Sequence, residues 1–429
     1  MSLIKEKAKG SWLTYVVLLA GVYATATNLI PISVLPFVVM AVLALYLFPN
    51  MLAGKITRLP MVTFWAIIYY AISIVGVLVY EPTSLLAPEF YRYDGNFLIT
   101  FIPLIALPII KQDRRIANIS LTKFAVVAIA INGLGLAYQI LFEKPPTGLF
   151  LSTNAFGGFL MTAVAINYIW CKATRFGIKA TCCLVIGCLL MLMASSRGSI
   201  LGIIAGIAFF ELWRIGLKKL IGLALAAIVA VQTTILCFTY PAYADSPYDR
   251  YDYAVSQMSS VKGANIAIRA YENWPRGLYL FIKSPLFGTG VGSANDLPFE
   301  FSDSGVLYNP NKAPVRNYNS AHAHHSYLHI AAEQGLVGLG AFLAMWAALY
   351  KNLTSNRKSL GIKSVLMIIF WSLTVAGFTE HRLPSPSNTF PFMILFLIFW
   401  SSRLLPDGGG FRKEHIAPIQ VRDDRSAQG

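Results

Sequence analysis

Apolar runs of about 15 to 25 residues recur along nearly the whole chain, the length a helix needs to cross a bilayer core of about 30 Å. Spans are predicted near residues 12–30, 32–48, 60–79, 97–110, 120–142, 151–170, 178–196, 198–213, 219–238, 326–350, 364–379 and 388–402. An open sheet cannot replace these helices, because its unpaired backbone groups would sit in hydrocarbon. The expected fold is therefore an all-α, polytopic membrane protein of about 12 helices. The run at 97–110 is short, and Pro31 makes a bent or re-entrant pair of the first two spans an alternative. One polar stretch interrupts the pattern. Residues 239–325 form a large loop with amphipathic helical segments between helices 1–9 (residues 1–238) and helices 10–12 (residues 326–405). Residues 406–429, with Gly408, Gly409 and Gly410 among mixed charges, read as a disordered tail.

Charge orients the helices. Of 35 Lys and Arg, 23 lie in the termini and the short loops assigned to one side, among them Lys5, Lys55, Arg114, Arg175, Lys218, Lys358 and Arg412. Most acids lie on the other side, including Glu81, Asp94, Glu143 and Asp249. Both termini are expected in the cytoplasm and the large loop outside, which in a bacterium is the periplasm, with the protein in the inner membrane. Lys5, Lys7 and Lys9 lead into a span without a small-residue cleavage site, so no cleavable signal peptide is expected. A net charge of +15 is spread over short loops next to helix ends. Membrane lipids and topology account for it, and no nucleic-acid partner is expected.

No glycine-rich nucleotide loop is present, so nothing points to ATP or NAD chemistry. The five cysteines lie in or beside spans and read as small apolar filler. Gly198, Gly202 and Gly206 form a small-residue ridge suited to close helix packing, a structural reading.

Two features carry chemistry. Arg197, in Ser195-Ser196-Arg197-Gly198, lies in an outer turn where basic residues are rare. It is either a snorkelling residue or an anion ligand whose guanidinium fork matches two phosphate oxygens. Arg269 and Arg276, seven residues apart beside Trp274, Tyr279 and Phe281, add cations in an amphipathic element. The second feature is histidine, since four of the six fall between His322 and His329. Three readings compete: a metal site, for which no carboxylate or thiolate partner stands at a familiar spacing; helix capping; and a base that takes a proton from a sugar hydroxyl, which the position at a water–lipid boundary favours. No cofactor or metal is expected.

Three pieces together resemble the O-antigen ligases and related bacterial membrane glycosyltransferases. They are Ser196-Arg197-Gly198; Arg269 followed by Trp274, Phe281 and Pro285-Leu286-Phe287-Gly288-Thr289-Gly290-Val291-Gly292; and His322-Ala323-His324-His325-Ser326-Tyr327-Leu328 with Glu333-Gln334-Gly335. Family members usually read His-Ala-His-Asn in the third piece, so His325 stands where Asn is usual. Arg269 is one residue farther from Trp274 than the pattern has it. The resemblance implies a GT-C-like membrane fold and transfer of a glycan from undecaprenyl diphosphate to an acceptor hydroxyl. For a ligase the acceptor is a sugar of the lipid A core. It implies His324 as the base, Arg197 and Arg269 as diphosphate ligands with Arg276 as substitute, and His322, His325, Tyr327 and Glu333 as acceptor-contacting or orienting groups. An O-antigen polymerase or a protein O-oligosaccharyltransferase would share the donor. A lipid-linked glycan transporter is the reading from another class, against which stand the one-sided cluster of charges and the lack of an internal repeat.

Overall fold

The computed structural model describes residues 59–87, 90–91, 94–109, 121–150, 152–245, 269–295, 299–302, 305–308, 323–355, 360–381 and 383–403. The two predicted spans before residue 59 and the tail lie outside them. The long helices are α1 (Met61–Tyr80), α2 (Leu121–Leu141), α3 (Thr153–Ala173), α4 (Ile178–Met193), α5 (Arg197–Arg214), α6 (Lys218–Asp245), α7 (Trp274–Lys283), α8 (Ser326–Ser355), α9 (Leu360–Ala376) and α10 (Pro386–Arg403). Among the described residues, five helices are long and apolar enough to cross a membrane: α1, α2, α3, Lys218–Pro241 of α6 and Ser326–Thr354 of α8. The chain is thus helical and multi-span in character. One departure from an all-helical chain is a hairpin of two strands, β1 (Phe299–Ser302) and β2 (Gly305–Tyr308), in the stretch predicted to be the outer loop.

Two predicted spans differ in shape. Residues 94–109 are a broken run of short helical pieces, Phe97–Thr100, Ile102–Ala106 and a final 3-10 turn Leu107–Ile109. Pro103 and Pro108 explain the breaks, since proline removes a backbone donor and its ring clashes with the preceding turn. The stretch is buried, with Tyr69 of α1 edge-on to Phe97 and Phe101 at 5.7 and 6.0 Å.

The second is α8, which is bent into a V. On a straight helix Tyr327 and Phe342 would stand about 22 Å apart. Their ring centroids are 6.4 Å apart instead. The Tyr327 hydroxyl donates to the Thr374 carbonyl and the Trp346 indole N–H to the Thr374 hydroxyl, so residues from both arms end on one threonine. The bend is at Gly335, whose φ of 64° and ψ of −166° belong to a region essentially reserved for glycine. A short arm, residues 326–334, and a long arm, residues 336–355, replace the single straight span predicted at 326–350.

The bend is held from outside. The glycine turn after α7 crosses it, with Leu336 N–H donating to the Pro285 carbonyl at 2.8 Å and Val337 N–H to that of Leu286 at 3.1 Å. In return Thr289 and Gly290 N–H donate to the carbonyls of Ala332 and Glu333 at 3.0 and 2.9 Å. Two of the recognised sequence pieces are therefore one structural unit. Gly290, at φ 102°, lies against Tyr80 at the end of α1, where a Cβ would come within 2.2 Å of the Tyr80 Cβ. The foot of the short arm sits lower, near the level of Phe342 and Tyr69, whose rings are 5.5 Å apart.

The small-residue ridge forms the contact between α5 and α9. A Cβ on Gly202 would meet the Ser372 carbonyl at 2.9 Å and Ala376 at 3.0 Å, and one on Gly206 the Ile368 carbonyl at 2.6 Å. The pairing runs antiparallel. It places the start of α5, with Arg197, at the same end as the exit of α9.

Candidate functional site

The exit of α9 carries the residue on which the site turns. Glu380, its side chain 8 % exposed, sends Oε2 to His324 Nδ1 at 3.0 Å and pairs through Oε1 with Arg269. One carboxylate thus joins the best candidate base to a candidate diphosphate ligand. Backbone and hydroxyl bonds fix the arrangement: Ser326 N–H donates to the Gly377 carbonyl at 2.7 Å, Ser326 Oγ donates to the Glu380 carbonyl at 2.9 Å, and Leu383 N–H donates back to Ser326 Oγ at 3.2 Å. The N-terminus of the short arm is stitched to the loop between α9 and α10.

The two adjacent imidazoles have different fates. His325 is buried and both ring nitrogens are engaged: Nδ1 accepts the Leu328 N–H at 3.1 Å, so Nε2 carries the proton and donates to Gln232 Oε1 at 3.0 Å. Gln232, on α6, in turn donates to the Phe378 carbonyl at 2.7 Å. The ring lies edge-on to Trp274 and Phe378 at 6.0 and 5.6 Å. Burial pushes the His325 pKa down to about 4, so the ring is a neutral tie between three elements. His324 is a third exposed and sits at φ 46°, a left-handed conformation that an L side chain with a Cβ adopts at a cost. Nδ1 is the ring nitrogen that faces Glu380.

The remaining predicted residues are placed as follows. Arg269 opens a π-helical turn, Arg269–Asn273, that runs into α7. It pairs with Glu380, whose one carboxylate oxygen engages only part of a five-donor fork. The π turn also alters the rotation between Arg269 and Arg276, and Arg276 is buried in the first turn of α7. Arg197 is exposed at the start of α5. Its N-terminal neighbour Ser196 does not cap the helix; the Ser196 hydroxyl is 2.9 Å from that of Ser199 and donates to Asn154 Oδ1 at 3.3 Å. Tyr327 is committed to Thr374, and Glu333 is buried beneath the glycine turn. His322 lies outside the described residues.

Sequence reasoning missed Glu380 and Gln232. A signal for Glu380 existed, since Thr379-Glu380-His381-Arg382 is a charged run between two apolar spans at the end where the histidines cluster. Gln232, one amide in an apolar helix, had no such context. The indole N–H of Trp274 is buried with no acceptor among the described residues. Among those residues no group of three His, Cys, Asp or Glu is placed to hold a metal ion.

Comparison with known families gives one match, over part of the chain. Residues 182–343 match the O-Antigen ligase family. The matched segment contains all three pieces that suggested the resemblance, from Ser196 to Gly335, and ends before Glu380. Over that segment the chain is similar to the O-Antigen ligase family. A search of curated proteins gave no match.

Proposed function

We propose that this protein is an O-antigen ligase that transfers a glycan from undecaprenyl diphosphate to a sugar hydroxyl of the lipid A core, without metal or nucleotide. The observation that carries the reading is Glu380 held between His324 and Arg269, within a chain whose residues 182–343 match the O-Antigen ligase family.

In this reading His324 Nε2 takes the proton of the acceptor hydroxyl while Glu380 accepts the Nδ1–H, fixing the tautomer and stabilising the imidazolium as it forms. The acceptor oxygen bonds to the anomeric carbon as the bond from that carbon to the diphosphate oxygen breaks, and the electron pair leaves with undecaprenyl diphosphate. Arg197 and Arg269 bind that diphosphate and stabilise its growing charge, with Arg276 supporting the same segment. Attack opposite the leaving group inverts the linkage. The diphosphate is itself an activated leaving group, so the reaction needs no further energy source. His322, His325 and Tyr327 contact the acceptor or hold the arm. The site faces the periplasm and both termini the cytoplasm of a bacterial inner membrane.

The test is reconstitution of the purified full chain with lipid-linked glycan and lipid A core, without ATP or added metal. A product carrying both components is expected. Lengthening of the lipid-linked glycan alone would identify a polymerase, glycan on a protein acceptor an oligosaccharyltransferase, and movement of unmodified donor across the bilayer a transporter.

A further inference from the structure

Glu333 lies apart from the reacting groups, yet its position is unusual. It is 2 % exposed, and its contacts join two parts of the site's scaffold, the glycine turn and His329. Oε1 accepts the N–H groups of Gly292 at 2.9 Å and Ala294 at 3.3 Å, from the glycine turn that continues α7. Oε2 faces His329 Nε2 at 3.3 Å, one helical turn earlier on the short arm. Its backbone carbonyl accepts from Gly290 at 2.9 Å. The His329 ring, itself buried, packs 4.3 Å from His381, the residue that follows Glu380.

A carboxylate buried at this depth is costly unless its lone pairs are used, and here they are spent on the turn and on His329 together. Along one side of this side chain, the turn leads back through α7 to Arg269. Along the other, the short arm leads to His324, and His329 leads through His381 to Glu380. The proposed donor-binding cation and base are thus carried by two backbone segments that the Glu333 side chain ties together, beside the backbone bonds between the turn and α8.

We propose that Glu333 is a positioning residue for transfer: acting through His329 and the glycine turn, it sets where the His324–Glu380 pair stands relative to Arg269. The proposal rests on the reading of His324 as the base. It requires that loss of the Glu333 carboxylate spoil alignment at the reacting centre while leaving the donor's affinity in place. Displacement of a catalytic group by about 1 Å costs on the order of 10²-fold in rate.

The experiment uses the reconstituted full chain with lipid-linked glycan and lipid A core, and four variants: Glu333→Gln, His329→Gln, the double variant, and His324→Ala. Glu333→Gln retains an oxygen for the two turn N–H groups but faces His329 with an amide. It is expected to lower kcat by about 10- to 100-fold with the donor KM unchanged. His329→Gln leaves the turn bonds intact, so it tests the same path should Glu333→Gln fold poorly. The double variant should lose no more than the worse single one, as members of one path do. A wild-type kcat in both single variants, a loss confined to KM, or additive losses in the double variant overturns the proposal. His324→Ala separates the two ideas. If it is inactive while the Glu333 and His329 variants turn over normally, the positioning role fails and the base stands; if His324→Ala itself turns over normally, the base reading fails.

Discussion

Replacing Gly335 by alanine should be far more damaging than a single added methyl suggests. The backbone at φ 64° and ψ −166° lies in a region where a residue bearing a Cβ is strained by about 1–3 kcal/mol. The added carbon would also stand 2.3 Å from the carbonyl carbon and oxygen of Leu286 and 2.5 Å from the Phe287 nitrogen. These are main-chain atoms held by the crossing hydrogen bonds, so they cannot swing aside as a side-chain tip would. Overpacking of that kind adds about 1–3 kcal/mol. The sum, about 2–6 kcal/mol, is a large part of the roughly 5–15 kcal/mol typical of a folded domain. The control lies five residues on. Gly340 is on the same helix with nothing within 4 Å of the point a Cβ would occupy, and Gly340→Ala should be neutral or stabilise by about 0.5–1 kcal/mol. Heating both variants and the wild type in detergent, and following the monodisperse fraction by size exclusion, reads the difference directly. The expected result is a marked loss for Gly335→Ala and none for Gly340→Ala. Equal thermal resistance of the two variants would refute the bent arm.

Three further outcomes follow from the site. His324→Ala should preserve the fold and donor binding and reduce transfer by about 10² to 10⁴-fold, measured as product formed per reconstituted enzyme; near-native transfer would remove the base assignment. Arg197→Ala should weaken donor binding as well as turnover, and Arg197→Lys should recover only part because it keeps the charge and loses the fork; unchanged donor affinity in Arg197→Ala and Arg269→Ala would remove the cradle. His325 should confer acid sensitivity: its folded-state pKa of about 4 lies below the unfolded value near 6.5, so as pH falls from about 6.5 the unfolded chain gains a proton that the buried ring refuses. Stability should drop by about 3 kcal/mol between about pH 6.5 and 4, and His325→Asn should lack that drop; parallel melting-versus-pH curves would contradict it.

Much of this architecture was legible in the hydrophobic pattern. Helices at 61–80, 121–141 and 153–173 fall within a few residues of the apolar runs, because length and composition alone decide whether a helix suits a bilayer. Residues 97–110 carried their own warning in Pro103 and Pro108. The bend of α8 did not, because Gly335 and Gly340 look alike in sequence. Only the chain that crosses over the first, from Pro285 to Gly290, distinguishes them. The two adjacent rings are likewise distinguished by distant partners, Gln232 on His325 and Glu380 on His324. Sequence spacing places such groups on a common side of the membrane. It cannot say which ring nitrogen is already taken.

If His324 is the base proposed above, its left-handed backbone sets heat resistance and turnover against each other. At φ 46° the residue sits in a region that costs an L side chain about 1–2 kcal/mol and that asparagine, with its short amide able to hydrogen-bond locally, visits more readily. His324→Asn should therefore give a protein that survives higher temperature and transfers almost nothing. A laboratory selection that rewarded robustness alone would discard this histidine early, and any thermostabilised form of the protein should be sequenced at codon 324 before its silence is blamed on the assay.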